Sequence, residues 1–311
     1  MSKSFSFGAH ATADKVLAGI DLSGKRFVVT GCNSGIGFET MSAFTANGGQ
    51  VLGLARSLAD AQAACARVSP GATPLACDLA DLESVAAAAA AIRALDVPLD
   101  AVVANAGVAN LPTLQTRYGV EMQFLVNHLG HFALLNDLSD RVRNLTGRIV
   151  IVSGAAAAER APPGGIMFDN LGGQEFYQPR MFYAQSKLAN ALFARELSRR
   201  LSGRGIAVNS LDPGATHGTG HDRNAAWPLR FARSAARMFM KSAPQGAATQ
   251  ALLAASPQVS GITGEYWSNC RIAPGNRLLD DVDLAGRLWQ VSEDIVARQR
   301  TLPENSLRHA A

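Results

Sequence analysis

Between residues 26 and 255, six short apolar runs alternate with six stretches of helical length, and few folds admit that order. The runs at 26–30, 50–55, 72–77, 99–105, 147–153 and 206–211 are each bounded by turn residues, as strands are. Apolar residues at helical spacing fill the segments from Gly35 to the closing Gly48 and Gly49, and then 58–68, 82–95, 118–143, 182–201 and 245–255. Strands joined by helices of this length run parallel, and a parallel sheet must be covered on both faces. The expectation is an α/β fold: a doubly wound parallel sheet of about seven strands with helices on both sides.

No linker rich in proline or serine interrupts the series, and no internal repeat with a period of about 20 to 50 residues is visible. One domain is therefore expected over 25–270. An arm at 1–24 precedes it and an extension at 271–311 follows. The segment 215–243 stands outside the alternation.

Composition narrows the function classes. With 48% hydrophobic and 17% charged residues the chain has enough apolar surface to fold. The 29 Lys+Arg against 25 Asp+Glu leave a net charge of +4 with no basic block, so no nucleic-acid partner is expected. Cys32, Cys65, Cys77 and Cys270 form no C-x-x-C pair, which points to free thiols and to neither a metal site nor a disulfide framework. Lys3, Asp14 and Lys15 interrupt any apolar signal segment, and the alanine-rich run 85–92 is too short to span a bilayer, so a cytoplasmic location is expected.

Thr30-Gly31-Cys32-Asn33-Ser34-Gly35-Ile36-Gly37 joins the first strand to the first helix. Glycines there allow a tight turn and let a pyrophosphate approach the backbone amides at the helix N-terminus. The spacing T-G-x-x-x-G-I-G resembles that of the short-chain dehydrogenase/reductase family. The second strand ends at Ala55-Arg56, where an enzyme using NAD would place an acid against the ribose 2′-hydroxyl. A guanidinium can instead pair with a 2′-phosphate, so NADP(H) is the expected cofactor.

Tyr183 and Lys187, in Tyr-Ala-Gln-Ser-Lys, are four apart on one helix and share a face. A free phenol is a poor base at neutral pH; a neighbouring ammonium favours the phenolate, so Lys187 is expected to lower the pKa of Tyr183. Asn127 sits mid-helix, where asparagine is unfavourable unless its amide is used. The wording Asn127-His128-Leu129-Gly130-His131-Phe132, the entry FGAHATADKVLAGIDLSGK and the exit GEYWSNC resemble the retinol-dehydrogenase-like and WW-domain-oxidoreductase-like branch of that family.

The resemblance implies a Rossmann domain and assigns further roles. Asp78 and Leu79 would meet the adenine, and Asn105-Ala106-Gly107 matches the family's N-A-G motif beside the cofactor. Tyr183 would exchange the substrate proton, Lys187 would also hold the nicotinamide ribose, and Asn127 would anchor a water that relays protons to Lys187. Pro213-Gly214 matches the family's P-G motif near the nicotinamide; the threonine usual five residues after the proline is Gly218, and Thr219 is the nearest substitute for the pyrophosphate contact.

One departure concerns the catalytic serine. The family pattern Val-Ser-Ser or Val-Gly-Ser aligns its last residue, the one that hydrogen-bonds the substrate carbonyl, with Gly154. Ser153 is one position early, and on a strand one position reverses the side chain. Either the strand ends or bulges so that the Ser153 hydroxyl still reaches the site, or carbonyl polarisation is weak. His128 with His131, and His217 with His221, are each better read as packing and surface residues than as metal ligands.

Residues 228–241 read as a basic amphipathic helix with Phe231, Met238, Phe239 and Met240 as apolar bulk, expected as a lid over a hydrophobic alcohol, aldehyde or ketone. A membrane surface is the weaker alternative for that helix. The chain is thus expected to be an NADP(H)-dependent oxidoreductase. Alternatives are a catalytically weakened NADP(H)-binding protein of the same fold acting through partners, or a reductase of C=C or C=N bonds. The resemblance also suggests a homo-oligomer.

Overall fold

The computed structural model describes residues 6–68, 70–216 and 240–301. In chain order its main elements are α1 (Ala13–Leu17), β1 (Arg26–Thr30), α2 (Gly35–Ala46), β2 (Gln50–Ala55), α3 (Leu58–Ala66), β3 (Ala72–Ala76), α4 (Leu82–Ala94) and β4 (Ala101–Ala104). A short hairpin, β5 (Thr116–Arg117) and β6 (Val120–Glu121), leads to α5 (Met122–Phe124), a π-helical turn (Leu125–Leu129) and α6 (Gly130–Leu138). Then follow β7 (Arg148–Val152), α7 (Ala156–Glu159), α8 (Pro179–Arg200), β8 (Ala207–Asp212), α9 (Ala243–Ala255), β9 (Tyr266–Ser268), β10 (Arg271–Ile272) and α10 (Val282–Thr301).

The main sheet runs in the order β10-β9-β8-β7-β4-β1-β2-β3. From β1 the chain moves outward to β2 and β3, then crosses back to place β4 on the other side of β1. The carboxyl ends of β1 and β4 therefore flank the switch point where doubly wound sheets bind ligands. Alternate residues of each strand feed opposite faces: Phe27 and Val29 join the layer of α1, α2, α3 and α9, whereas Val28 joins the layer of α4, α6, α8 and α10. Both faces are covered, which is why β1, β4 and β7 are nearly continuous apolar runs.

The sheet has eight strands rather than about seven, and its last strand, β10, is antiparallel to β9. Asn269 and Cys270, at φ 55 and 60°, form the two-residue turn between them; a turn with both central residues at positive φ suits a hairpin.

The same geometry corrects the helix expected over 118–143. Tyr118 and Gly119, at φ 60 and 73°, make the β5–β6 turn, and the helix starts only at Met122, where the Glu121 carboxylate caps the amides of Gln123 and Phe124. Helix α8 begins at Pro179, earlier than expected, because proline is well suited to the first helical turn. Segments on both sides of the alternation pack onto the body: α1 buries Val16 and Leu17, and α10 buries Leu288, Trp289 and Val296, with the Arg200 guanidinium 3.9 Å over the Trp289 ring. Among the described residues no helix is long and apolar enough to cross a membrane.

Candidate functional site

The glycine loop and the segment after β4 are bolted together, and this explains their residues. Gly31 turns at φ +70°, and a Cβ there would lie 3.0 Å from the Ala106 Cα. A Cβ on Gly37 would lie 2.2 Å from the Gly31 carbonyl oxygen and 2.6 Å from Asn105 Nδ2, so no side chain fits. Asn105 Nδ2 donates to the Thr30 carbonyl at 2.9 Å, and the amides of Asn105 and Ala106 donate to Thr30 Oγ1 at 2.9 and 3.0 Å.

The Thr30 hydroxyl lies 2.9 Å from His131 Nε2, whose Nδ1 lies 2.9 Å from the Asn127 carbonyl oxygen. A carbonyl can only accept, so Nδ1 carries the ring proton and Nε2 accepts from Thr30. Burial pushes the His131 pKa down to about 4, which keeps the ring neutral and this tautomer intact. The loop is thereby tied to the π-helical turn that carries Asn127.

Asn33, Ser34, Gly35, Ile36 and Gly37 line a cavity of about 1280 Å³. Ser34 occupies the N-cap of α2 but makes no side-chain cap, so the first amides of that helix keep their donors for an anion. Gly31, Arg56, Asp78, Leu79, Asn105, Ala106, Gly107, Ser153, Tyr183, Lys187 and Pro213 line the same cavity. A loop with free helix-terminal amides at one end and a Tyr–Lys pair at the other fits a dinucleotide lying across the switch point. Arg56 is exposed at the rim. Asp60, also a lining residue, is held by the Ser57 hydroxyl at 2.8 Å.

The Tyr–Lys end is built from β7, α8 and the π turn. Lys187 Nζ lies 5.8 Å from the Tyr183 ring centre and donates to the Val152 carbonyl at 3.2 Å. A Cβ on Gly107 would lie 2.9 Å from Asn127 Oδ1 and 3.5 Å from Lys187 Nζ, so only glycine lets the N-A-G turn approach both. Asn127 stands behind this turn, outside the cavity lining. Its Oδ1 accepts from the Val108 amide at 2.8 Å, and its Nδ2 donates to the Val108 carbonyl and to Ser186 Oγ, both at 2.9 Å.

Ser153 follows the last residue of β7. Its hydroxyl donates to the Lys187 carbonyl at 2.7 Å, so its one proton is committed to helix α8. At Gly154 a Cβ would meet only Lys187 Cγ, at 3.9 Å, an ordinary van der Waals contact that leaves room for a side chain.

Electrostatics here reverse one expectation. Burial first, and then the Asp212 carboxylate, push the Tyr183 pKa up to about 12 rather than down. Burial pulls Lys187 down to about 8, with Asp212 opposing it. The ammonium lies over the Tyr183 ring, 5.8 Å from its centre, and burial is the largest effect on the phenol. A phenol held neutral is loaded to donate a proton, which is what an alkoxide formed by carbonyl reduction requires.

Gly214, outside the cavity lining, donates its amide to Asp212 Oδ1 at 3.0 Å. Thr219, His217, His221 and most of the 215–243 segment lie outside the described residues. His128 is buried with Nε2 2.9 Å from Ser292 Oγ, and no cluster of His, Cys, Asp or Glu among the described residues could hold a metal. Three features escaped sequence reading: Asp212, which touches the site only through space; Asp60; and the rim groups Gln115, Gln178 and Arg180.

A family model described as short chain dehydrogenase matches residues 25–167. The WW domain-containing oxidoreductase of Homo sapiens is 37% identical over 306 residues, covering 93% of this chain and 72% of that one. Retinol dehydrogenase 14 of Homo sapiens is 34% identical over 297 residues, 88% of this chain and 87% of its own. A crystal structure of an uncharacterised protein from Mycobacterium paratuberculosis superposes with a TM-score of 0.73 at 27% identity, covering 89% of this chain and 95% of that one. The order of the sheet, the glycine loop and these likenesses agree, and the chain belongs to the short-chain dehydrogenase/reductase family of nicotinamide-dependent oxidoreductases.

Proposed function

We propose that the protein is an NADP(H)-dependent reductase and dehydrogenase of hydrophobic carbonyl and alcohol substrates. The observation that carries this reading is one cavity shared by the glycine loop, Arg56, Tyr183 and Lys187. Gly31, Asn33, Ser34, Gly35, Ile36 and Gly37 would hold the diphosphate, Arg56 the 2′-phosphate, Asp78 and Leu79 the adenine, and Lys187 the nicotinamide ribose. The bound nicotinamide supplies or takes the hydride.

The chain's own residues handle the rest. Tyr183 donates its phenolic proton to the substrate oxygen in reduction and withdraws it in oxidation. Asn127 and Gly107 keep the N-A-G turn against Lys187, and the Ser153 hydroxyl positions the backbone of α8 at Lys187. Val108, Ala109, Leu111, Met122 and Val126 line the cavity between the N-A-G turn and the π-helical turn and support an apolar substrate.

Arg56 separates the two cofactors, since a guanidinium bonded to a dianionic phosphate contributes more than one left against a neutral hydroxyl. Arg56→Ala is expected to weaken NADPH binding by roughly ten- to one-hundred-fold and to leave NADH binding unchanged, measured by titration calorimetry. Equal dissociation constants for NADPH and NADH in the unaltered protein would remove the NADP(H) assignment. One observation favours a second reading: with the Ser153 hydroxyl spent on the Lys187 carbonyl and no side chain at Gly154, the site lacks a serine to polarise a carbonyl. A cofactor-binding protein of weak turnover is the form that reading takes.

A further inference from the structure

Helix α8 carries Arg180, Tyr183 and Lys187 at spacings of three and four, so the three share one face, and all three line the cavity. Lys187 lies on one side of Tyr183; Arg180 lies on the other, about 4.5 Å along the axis toward the start of the helix. The reaction proposed above gives Lys187 the nicotinamide ribose and Tyr183 the reacting oxygen. A substrate that extends past Tyr183, away from the cofactor, meets Arg180 next.

Charge is divided between the two ends of the cavity. The two carboxylates that line it, Asp60 and Asp78, follow β2 and β3 and belong with Arg56 to the adenine end. No carboxylate lines the part between the N-A-G turn, the π-helical turn and the start of α8; Asp212 acts on Tyr183 and Lys187 from outside the lining. Arg180 is exposed there and makes no ion pair or side-chain hydrogen bond among the described residues. A guanidinium stays charged and presents a planar fork of donors, so it calls for an acceptor.

The wall that carries it is fixed. Gln123 is buried in α5, where its Oε1 accepts from the Asn110 amide at 2.6 Å and its Nε2 donates to the Pro179 carbonyl at 3.1 Å, directly before Arg180. Gln123 Nε2 also donates to Glu121 Oε1 at 3.1 Å, and the Tyr177 hydroxyl donates to the Leu111 carbonyl at 2.6 Å. The backbone at Arg180 is thereby held at a set separation from Val108 and Leu111, apolar lining residues of the opposite wall. Preorganisation of this kind leaves less ordering to be done on binding.

We infer that the substrate is an apolar carbonyl or alcohol compound that also carries a carboxylate, and that Arg180 holds this carboxylate while Tyr183 faces the reacting oxygen. The inference rests on the reductase reading above and names its substrate class. One guanidinium matches the single charge of a carboxylate in a bidentate pair. A dianionic phosphate calls for a second cation, and apart from Lys187 none lines that side.

The test uses the full chain, NADPH and aldehydes that end in a carboxylate, in a series of increasing chain length, each beside its methyl ester. Turnover and calorimetric binding to the NADPH complex are measured for every pair. At the length that fits, the acid is expected to exceed its ester in kcat/KM and in affinity by roughly ten- to one-hundred-fold, as a charge-assisted pair provides. Arg180→Gln is expected to bring that ratio near one, with the loss falling on KM, and Arg180→Lys to keep part of it, as a point charge without the fork does. Esters used as well as their acids at every length overturn the inference and leave the reductase reading standing, and a ratio that survives in Arg180→Gln overturns it equally. Acids that bind more tightly than their esters through Arg180 but are reduced at no length uphold the Arg180 site and remove the reductase reading instead.

Discussion

Tyr183→Phe is expected to lower carbonyl turnover by about 10²- to 10⁴-fold, the contribution of a positioned general acid, while NADPH still binds with its original affinity. The substitution removes one oxygen and keeps the ring. Among the described residues the phenol makes no hydrogen bond, whereas the main chain of Tyr183 accepts from Ser186 Oγ at 2.7 Å and is untouched. Lys187 keeps its bond to the Val152 carbonyl, so the cofactor side of the cavity is preserved. Because burial and Asp212 hold the phenol neutral, the loss is expected across the neutral range, where the proton to be donated is present. Steady-state NADPH oxidation beside calorimetric binding separates the two effects. Full turnover in Tyr183→Phe would show that another group moves the proton.

Gly154→Ser is expected to raise turnover, by roughly 10²-fold, the inverse of the loss seen when one donor to a developing oxyanion is removed. The backbone at 154 is not in the left-handed region, and a Cβ there meets nothing nearer than Lys187 Cγ at 3.9 Å, so the side chain enters without displacing a neighbour. The added hydroxyl would stand after Ser153, whose own proton is spent on the Lys187 carbonyl. Turnover measured on the same aldehydes and ketones as for the unaltered protein decides it. An unchanged rate would mean that carbonyl polarisation is already supplied, either by Ser153 or by a group of the rim. A rate that falls would mean that the room a side chain takes at Gly154 belongs to the substrate.

Most of the architecture was legible because the sheet is parallel and buried on both faces. Runs such as Phe27-Val28-Val29 have one structural solution once helices separate them. The glycine loop was legible for a local reason: Gly31 and Gly37 stand where the Asn105-Ala106 segment leaves no room for a Cβ. What escaped was set by backbone exceptions. Tyr118 takes a positive φ that its residue type rarely adopts, so the β5–β6 turn looked like the start of a helix. Asn269-Cys270 hid the last hairpin in the same way.

At the site, residue types were readable and through-space effects were not. The pairing of Tyr183 with Lys187 follows from helical spacing, but the direction of the Tyr183 shift depends on burial and on Asp212, twenty-nine positions away in sequence. The ambiguity at Ser153 could be framed from the strand's alternation; only the structure places its hydroxyl on the Lys187 carbonyl. Asp212 stands directly before the Pro213-Gly214 motif, but nothing in that motif announces its through-space effect on Tyr183.

The central claim is that this cavity carries a hydride between NADPH and a carbonyl carbon, with Tyr183 supplying the proton. The most direct test is to incubate the protein with NADPH deuterated at the transferable nicotinamide position and a panel of apolar aldehydes and ketones, and to analyse the alcohols by mass spectrometry. The expected result is an alcohol bearing one deuterium on its carbinol carbon, formed by the unaltered protein and not by Tyr183→Phe. Tight NADPH binding with no labelled alcohol from any carbonyl would contradict the claim and leave a cofactor-binding protein in its place.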